Sequence, residues 1–383
     1  MTRPPSVAAL GLALALCTLP ATAARTVVAT LTEALALVSA LEPAAPATLS
    51  LVGEPEASPD ASPAADVALL ELESPALSLN LALEPWELVA GVDGRPDEAT
   101  RAAWRATFGT TAPTSWRGGV PGRDDTWARL LEVDGAWRGH LSADGTLWRV
   151  DPVRDAAADG ELLGHAVRPV AAGVSGPGPD EEAPTVLRIG IVVDSRFDER
   201  HEGRGLERAL AIVNGVDGLL RDGLGVGLAV DAVRVHPNPD GDPLRDAGDT
   251  VEETLARFRL VRDADPELPE DLALVHLFTG LDDARGAVGL GYVDGLCRAE
   301  GWDTALSTPF PFDTILAAHE IAHVIGARHD DDPSCAGLAT EADLMWPTLS
   351  GASRAAFSAC SVEAVRRTLE SGCLVDGRVA EPL

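Results

Sequence analysis

The sequence predicts a chain of the α/β (α+β) class in two parts, a β-rich module followed by a domain in which one helix carries the chemistry. Three observations predict it. Between Thr114 and Val170, short apolar-polar runs are bounded by glycines, the signature of strands and hairpins. A stretch rich in glycine, proline and acid, residues 173–182, then separates that module from a strand beginning near Leu187, as a linker does. Farther on, the run HEIAHVIGARHD, residues 319–330, spaces histidines as one face of a helix requires. At 383 residues the chain is long for one domain and comfortable for two.

Taken in order along the chain, Arg3, the apolar stretch Val7 to Leu19 and the A-x-A site Ala21-Thr22-Ala23 read as a secretory signal over residues 1–23. Export follows, to the exterior or the periplasm. The apolar stretch is too short for a membrane span, and no other segment approaches the necessary length. Lipid anchoring through Cys17 is not expected, because Leu16 stands where a small residue would be needed. Residues 42–63, rich in alanine, proline and serine, are expected to be loosely ordered.

The β-rich stretch within 114–170 is punctuated by Gly118-Gly119, Gly135, Gly139 and the turn Ala143-Asp144-Gly145-Thr146 ahead of Leu147-Trp148-Arg149-Val150. Hairpins are the reading. Six of the eight tryptophans fall in the N-terminal half, where they either fill a small core or offer a carbohydrate-binding surface.

On a helix, His319 and His323 are four residues apart and project from one face, so two imidazoles can reach one metal ion. Glu320 lies one residue around, close enough to such a metal to take a proton from water. The chain must then turn back sharply for a third ligand, and Gly326, which tolerates positive φ, stands three residues before His329. Three protein ligands with a position left open is the pattern of catalytic zinc, whereas structural zinc is usually closed by four side chains. No CxxC pair occurs in the chain.

HExxHxxGxxH resembles the metzincin zinc peptidases, which place a methionine turn beneath the metal; Met345, in Asp343-Leu344-Met345-Trp346-Pro347, stands in that place. Asp330 after the third histidine and Pro347 after Met345 are similar to the reprolysin (adamalysin) branch, which includes the ADAM enzymes, snake-venom metalloproteinases and bacterial relatives. The resemblance continues through LRIGIVVDSRF (187–197) as first strand, ALAIVNGVDGLLRDGLGVGLAVDAVRV (209–235) as first long helix and second strand, and LALVHLFTG (272–280) as third strand. FSACSVEAVRRTLESGCL (357–374) resembles the closing helix. It implies a mixed twisted sheet, long helices including the metal helix, and an irregular C-terminal subdomain. It also implies that Gly286 to Cys297 forms an edge strand whose Gly289, Leu290, Gly291, Tyr292 and Val293 pair with extended substrate, and that Asp330 and Gly326 are structural. Trp116 to Val153 resembles the reprolysin propeptide, an intramolecular chaperone or inhibitor. The expected division is therefore a signal over 1–23, a propeptide over 24–172, a linker over 173–185 and the peptidase domain over 186–383.

Apart from Cys17, the cysteines are Cys297, Cys335, Cys360 and Cys373. An even number in an exported chain argues for two disulfides, with three pairings open. The resemblance selects Cys297-Cys373 and Cys335-Cys360, each stabilising by about 3 to 5 kcal/mol. A further cysteine that many relatives carry before the methionine turn is replaced here by Asp343 and Leu344. No cysteine lies between Cys17 and Cys297, so the thiol that silences the metal in many family propeptides has no counterpart. Relatives often bind structural calcium through acids at positions aligned with Arg188 and Ala273, neither of which can serve; this counts against Ca2+ there.

A formal net charge of -30 and a pI near 4.5 exclude a general basic surface for nucleic acid or anionic membrane. The whole points to a secreted zymogen, a zinc endopeptidase with one Zn2+ held by His319, His323 and His329 and Glu320 as general base. It would be monomeric and act on protein or peptide, with its own propeptide as partner. The competing expectation is a catalytically silent binding or adhesion module on the same fold. Silent relatives typically lose the glutamate or a ligand, and all are present here.

Overall fold

The computed structural model describes residues 45–53, 68–86, 88, 102–103, 105–106, 113–154, 162–174, 185–283, 287–350 and 352–380. The expected signal and most of the expected linker lie outside the described residues. Eight antiparallel strands come first: β1 (Ala45–Gly53), β2 (Ala68–Glu73), β3 (Ser78–Trp86), β4 (Thr114–Gly119), β5 (Trp127–Val133), β6 (Ala136–Ala143), β7 (Thr146–Arg154) and β8 (Leu162–Ala172). Each pairs with the next, and β8 returns to β1 with Ala45 opposite Val167, closing a barrel. Closure leaves no strand edge to aggregate.

The barrel interior follows from period-two patterning. In β2 and β3, Leu70, Leu72, Leu79, Leu81 and Leu83 point inward and are buried with Ala128, Leu130, Leu141 and Val150. Trp137 joins this core and Trp116 and Trp148 pack against it; the rings of Trp116 and Trp137 lie 5.7 Å apart. These tryptophans therefore fill a core. The turns after β5 and β6 each place an Asp-Gly pair at positive φ, Asp134-Gly135 and Asp144-Gly145, as a two-residue turn of type I′ demands. One expectation is corrected. Within residues 42–63, Ala45–Gly53 is a strand, because pairing on both sides supplies backbone hydrogen bonds that local composition does not reveal.

The second half is a mixed five-stranded sheet in the order β10-β9-β11-β13-β12. Its strands are β9 (Thr185–Val193), β10 (Val226–Val235), β11 (Leu274–Phe278), β12 (Gly289–Gly291) and β13 (Thr304–Ser307). The first three strands in the spatial order and β13 run parallel; β12 runs antiparallel at the edge. The helices are α1 (Ser195–Arg200), α2 (Gly205–Leu224), α3 (Val251–Ala264), α4 (Asp313–Val324) and α5 (Ala359–Leu369). Asp194 caps α1 through Phe197 N–H at 2.7 Å, Thr250 caps α3 and Ser358 caps α5. Such caps satisfy amides that would otherwise lack partners. A short hairpin, β14 (Leu374–Val375) with β15 (Arg378–Val379), ends the fold.

Both faces of β5 and β6 are covered. Their inward residues belong to the barrel core, while Trp127, Arg129, Arg138 and His140 face α2 and the start of α4. The structure pairs Cys297 with Cys373, Cα atoms 6.1 Å apart, and Cys335 with Cys360, 5.3 Å apart. The first ties the segment after β12 to the C-terminal hairpin, and the second ties the irregular loop after α4 to α5.

Candidate metal centre

Helix α4 carries His319, Glu320 and His323, and all three are buried. The helix closes at Ile325, just before Gly326. Gly326 has φ 106°, Ala327 N–H donates to Ala322 O at 2.8 Å and Gly326 N–H donates to His323 O at 3.0 Å. This pair of bonds is the Schellman closure. A Cβ at Gly326 would also lie 2.1 Å from Thr368 Oγ1 on α5, so both conformation and space demand glycine. The turn sends Arg328 and His329 back toward the helix.

One imidazole nitrogen from each of His319, His323 and His329 lies within 4.8 Å of the others, and this is the group of ligand-type side chains so gathered among the described residues. The tautomers follow from the acceptors. His319 Nδ1 lies 2.7 Å from Leu344 O and His323 Nδ1 lies 2.8 Å from Ala327 O. A carbonyl can only accept, so both Nδ1 atoms carry the proton and both Nε2 lone pairs are left for a metal. Burial pushes the His319 imidazole down to about 3 and that of His323 down to about 4. His329 is also lowered by burial, despite Asp330 and Asp331 beside it. Three neutral imidazoles, with no thiolate among them, fit zinc or a similar borderline ion.

The third ligand's loop is anchored from behind. Asp330 N–H donates to Met345 O at 2.9 Å, and Asp330 Oδ1 accepts from Ser358 Oγ at 2.5 Å and Ser361 Oγ at 3.2 Å. Met345 is fully buried, and its neighbour Leu344 supplies the carbonyl that orients His319. Where relatives were expected to carry a cysteine, Asp343 instead forms an ion pair with Arg354 and accepts from Thr340 N–H at 2.8 Å. Side-chain patterns do not mark backbone acceptors, so Leu344 and Ala327 had no signal in the sequence. Ser358 had one, since a serine just before a helical run is a typical N-cap.

Glu320 projects toward the edge strand. An ideal Cβ on Gly289 would fall 2.6 Å from Glu320 Oε1, and one on Gly291 would fall 2.5 Å from Glu320 O. Only glycine lets β12 pass this close. Among the described residues no hydrogen bond or ion pair engages the Glu320 carboxyl, and burial pushes it up to about 8.

A cleft of about 780 Å³ runs between β12 and the segment after the methionine turn, with His319, Glu320, His323 and His329 on its floor. Gly289, Leu290, Gly291 and Val293 line it, together with Phe310, Leu316 and Pro347 to Leu349. Tyr292 does not border the cleft; it packs edge-on against Trp302 at 4.7 Å. At the aligned calcium positions, Arg188 contacts Asp231 at 3.3 Å, and Arg378 pairs with Asp231 and, at 2.9 Å, with Asp271. Guanidinium groups already neutralise those acids.

Residues 183–358 match the reprolysin-type model of metallo-peptidase family M12. The chain is 31% identical over 195 residues to the human disintegrin and metalloproteinase domain-containing protein 33, an alignment covering 49% of this chain and 23% of that protein. It thus spans less than a quarter of that relative's length. Both matches support a reprolysin-like metallopeptidase in the C-terminal half. Among the described residues no helix is long and apolar enough to cross a membrane.

Proposed function

We propose that this protein is an exported zinc-dependent endopeptidase. It is made as a precursor, with residues 1–23 directing export to the exterior or periplasm and residues 24–172 preceding a peptidase domain at 186–383. The carrying observation is the convergence of three imidazole nitrogens within 4.8 Å beside a buried glutamate, under a sheet edge, neither glutamate nor edge having a partner among the described residues. His319, His323 and His329 would hold one zinc ion, which when bound polarises the scissile carbonyl and acidifies water.

The remaining work falls to the chain's own groups. Glu320 Oε1 takes the proton from the attacking water and delivers it to the departing amine. Extended substrate adds to the outer edge of β12 at Gly289 to Gly291, where main-chain pairing sets register and the pockets of the cleft select side chains. The carbonyls of Leu344 and Ala327 keep the two helix histidines in the ligating tautomer. Asp330 holds the third histidine's loop, and Met345 floors the site.

The test is digestion of a denatured protein by the purified chain, with and without a zinc chelator, beside Glu320→Ala. Hydrolysis lost in both the chelated sample and the variant is expected. Hydrolysis that persists in Glu320→Ala overturns the assignment. Intact mass of the secreted product checks for processing within 173–185.

A further inference from the structure

None of the described residues of the N-terminal barrel borders the cleft: the cleft's lining among the described residues falls between Ala287 and Leu349. The barrel sits instead on α2 and on the first turn of α4. We infer that the barrel is a permanent, non-inhibitory half of the working enzyme, staying docked on α2 with the cleft open after the linker is cut. This decides between the chaperone and the inhibitor expected of this segment.

The interface is built as a core. Every residue of α2 from Gly205 to Leu220 is buried, a pattern of a helix enclosed on all sides rather than one meant to face water on one side. Two helix-weakening glycines mark where the barrel seats. A Cβ at Gly215 would lie 2.5 Å from His140 Nδ1, and one at Gly218 would lie 2.7 Å from the Trp127 ring.

Charges at the interface are matched across it. Arg129 of β5 meets Asp217 of α2 at 2.9 Å with both side chains 0% exposed. Asp313, the first residue of α4, pairs with Arg208 of α2 and, at 3.5 Å, with Arg149 of β7. Asp151 of β7 receives Arg208 at 3.3 Å. Asn214 donates to Leu130 O at 3.0 Å, and His140 meets the Thr314 hydroxyl at 2.8 Å. A partner designed to leave would strand these buried groups, and breaking a buried pair by removing one member is strongly unfavourable.

The end of the barrel also braces the metal site. Ala355 N–H donates to Ala172 O at 2.9 Å, at the last residue of β8, and Arg354 packs on Gly173 while pairing with Asp343. Asp343 adjoins Leu344, whose carbonyl orients His319. These contacts precede the segment 175–184, so a cut there leaves them intact.

The experiment places a recognition sequence for a site-specific protease within 175–184 of the full chain carrying Glu320→Ala, cuts it to completion and runs it on a native sizing column. One peak at the uncut size, holding both fragments in equal amounts and splitting only in denaturant, is expected. Fragments that separate in native buffer overturn the inference. The same cut in the active chain, an arm that rests on the peptidase reading, should change hydrolysis of a short peptide by less than about twofold. A rise of about tenfold or more on cutting would show inhibition and overturn it. If neither cut nor uncut chain hydrolyses peptide, the peptidase reading fails, and the sizing result alone decides the docking.

Discussion

The barrel interface and the metal cleft treat their ionisable groups in opposite ways. Across the interface, Arg129, Asp217, Arg149, Arg208, Asp151 and Asp313 are each matched by opposite charge. In the cleft, the Nε2 atoms of His319 and His323 and the carboxyl of Glu320 face one another's vicinity without protein partners among the described residues. Unpaired buried groups are costly. At the interface some polar atoms also go without hydrogen bonds, Trp127 Nε1, Arg129 Nη2 and Asn214 Oδ1 among them, so what is matched there is charge, whereas the cleft leaves its ligand-type groups open together.

The contrast can be broken at its largest expected effect by Glu320→Gln. Hydrolysis should fall by about 10² to 10⁴-fold, with no loss of thermal stability, since the side chain has no protein partner to forfeit. A clear drop in melting temperature would place Glu320 among the structural pairs instead. The converse substitution, Arg129→Met, removes one member of the fully buried pair. Asp217 keeps Arg221 at 2.9 Å and the Leu228 amide at 2.8 Å, so denaturant unfolding should show a loss of about 3 kcal/mol, the low end for such breaks. A loss under about 1 kcal/mol would contradict a core-like interface.

Asp330 is the paired group inside the site, and Asp330→Ala sharpens the comparison from within. Losing the bonds to Ser358 and Ser361 should weaken metal binding by about 10- to 100-fold, read by competition with a chromogenic chelator. Unchanged affinity would make the anchoring loop dispensable.

The smallest effect is in acid. Burial holds His140 down to about 3, against an ordinary value of 6.5. Between those values the unfolded chain takes up a proton that the folded chain refuses, so His140's contribution is complete above pH 6.5 and is lost as pH falls through that window. From pH 6.5 to 5.5, His140→Gln should lose about 1 kcal/mol less stability than the parent chain. Identical pH profiles would show that His140 is not held neutral at the interface.

How much of this was legible in the sequence depends on the range of the interactions involved. The metal helix was, because His319, His323, Gly326 and His329 are set by spacing within a few turns. So were β9, α2, β10, β11 and α5, through the family resemblance, and the Asp144-Gly145 turn through its chemistry. Barrel closure was not: it rests on Ala45 meeting Val167, a contact no local pattern encodes. Strands β2 and β3 carry a usable signal in the alternation of ALLELE and SLNLALE, but no glycine-bounded turn flanks it like those that mark the runs after Thr114. The outward role of Trp127 and the carbonyls of Leu344 and Ala327 depend on tertiary neighbours and had no sequence mark.

X-ray absorption at the zinc edge on the full chain tests the central claim most directly. One zinc per chain coordinated by three imidazole nitrogens at roughly 2.0 to 2.1 Å, with one nitrogen shell lost in His329→Ala, is the predicted result. A chain that binds no zinc after loading, or binds it with a first shell unchanged by removing His329, would contradict the account.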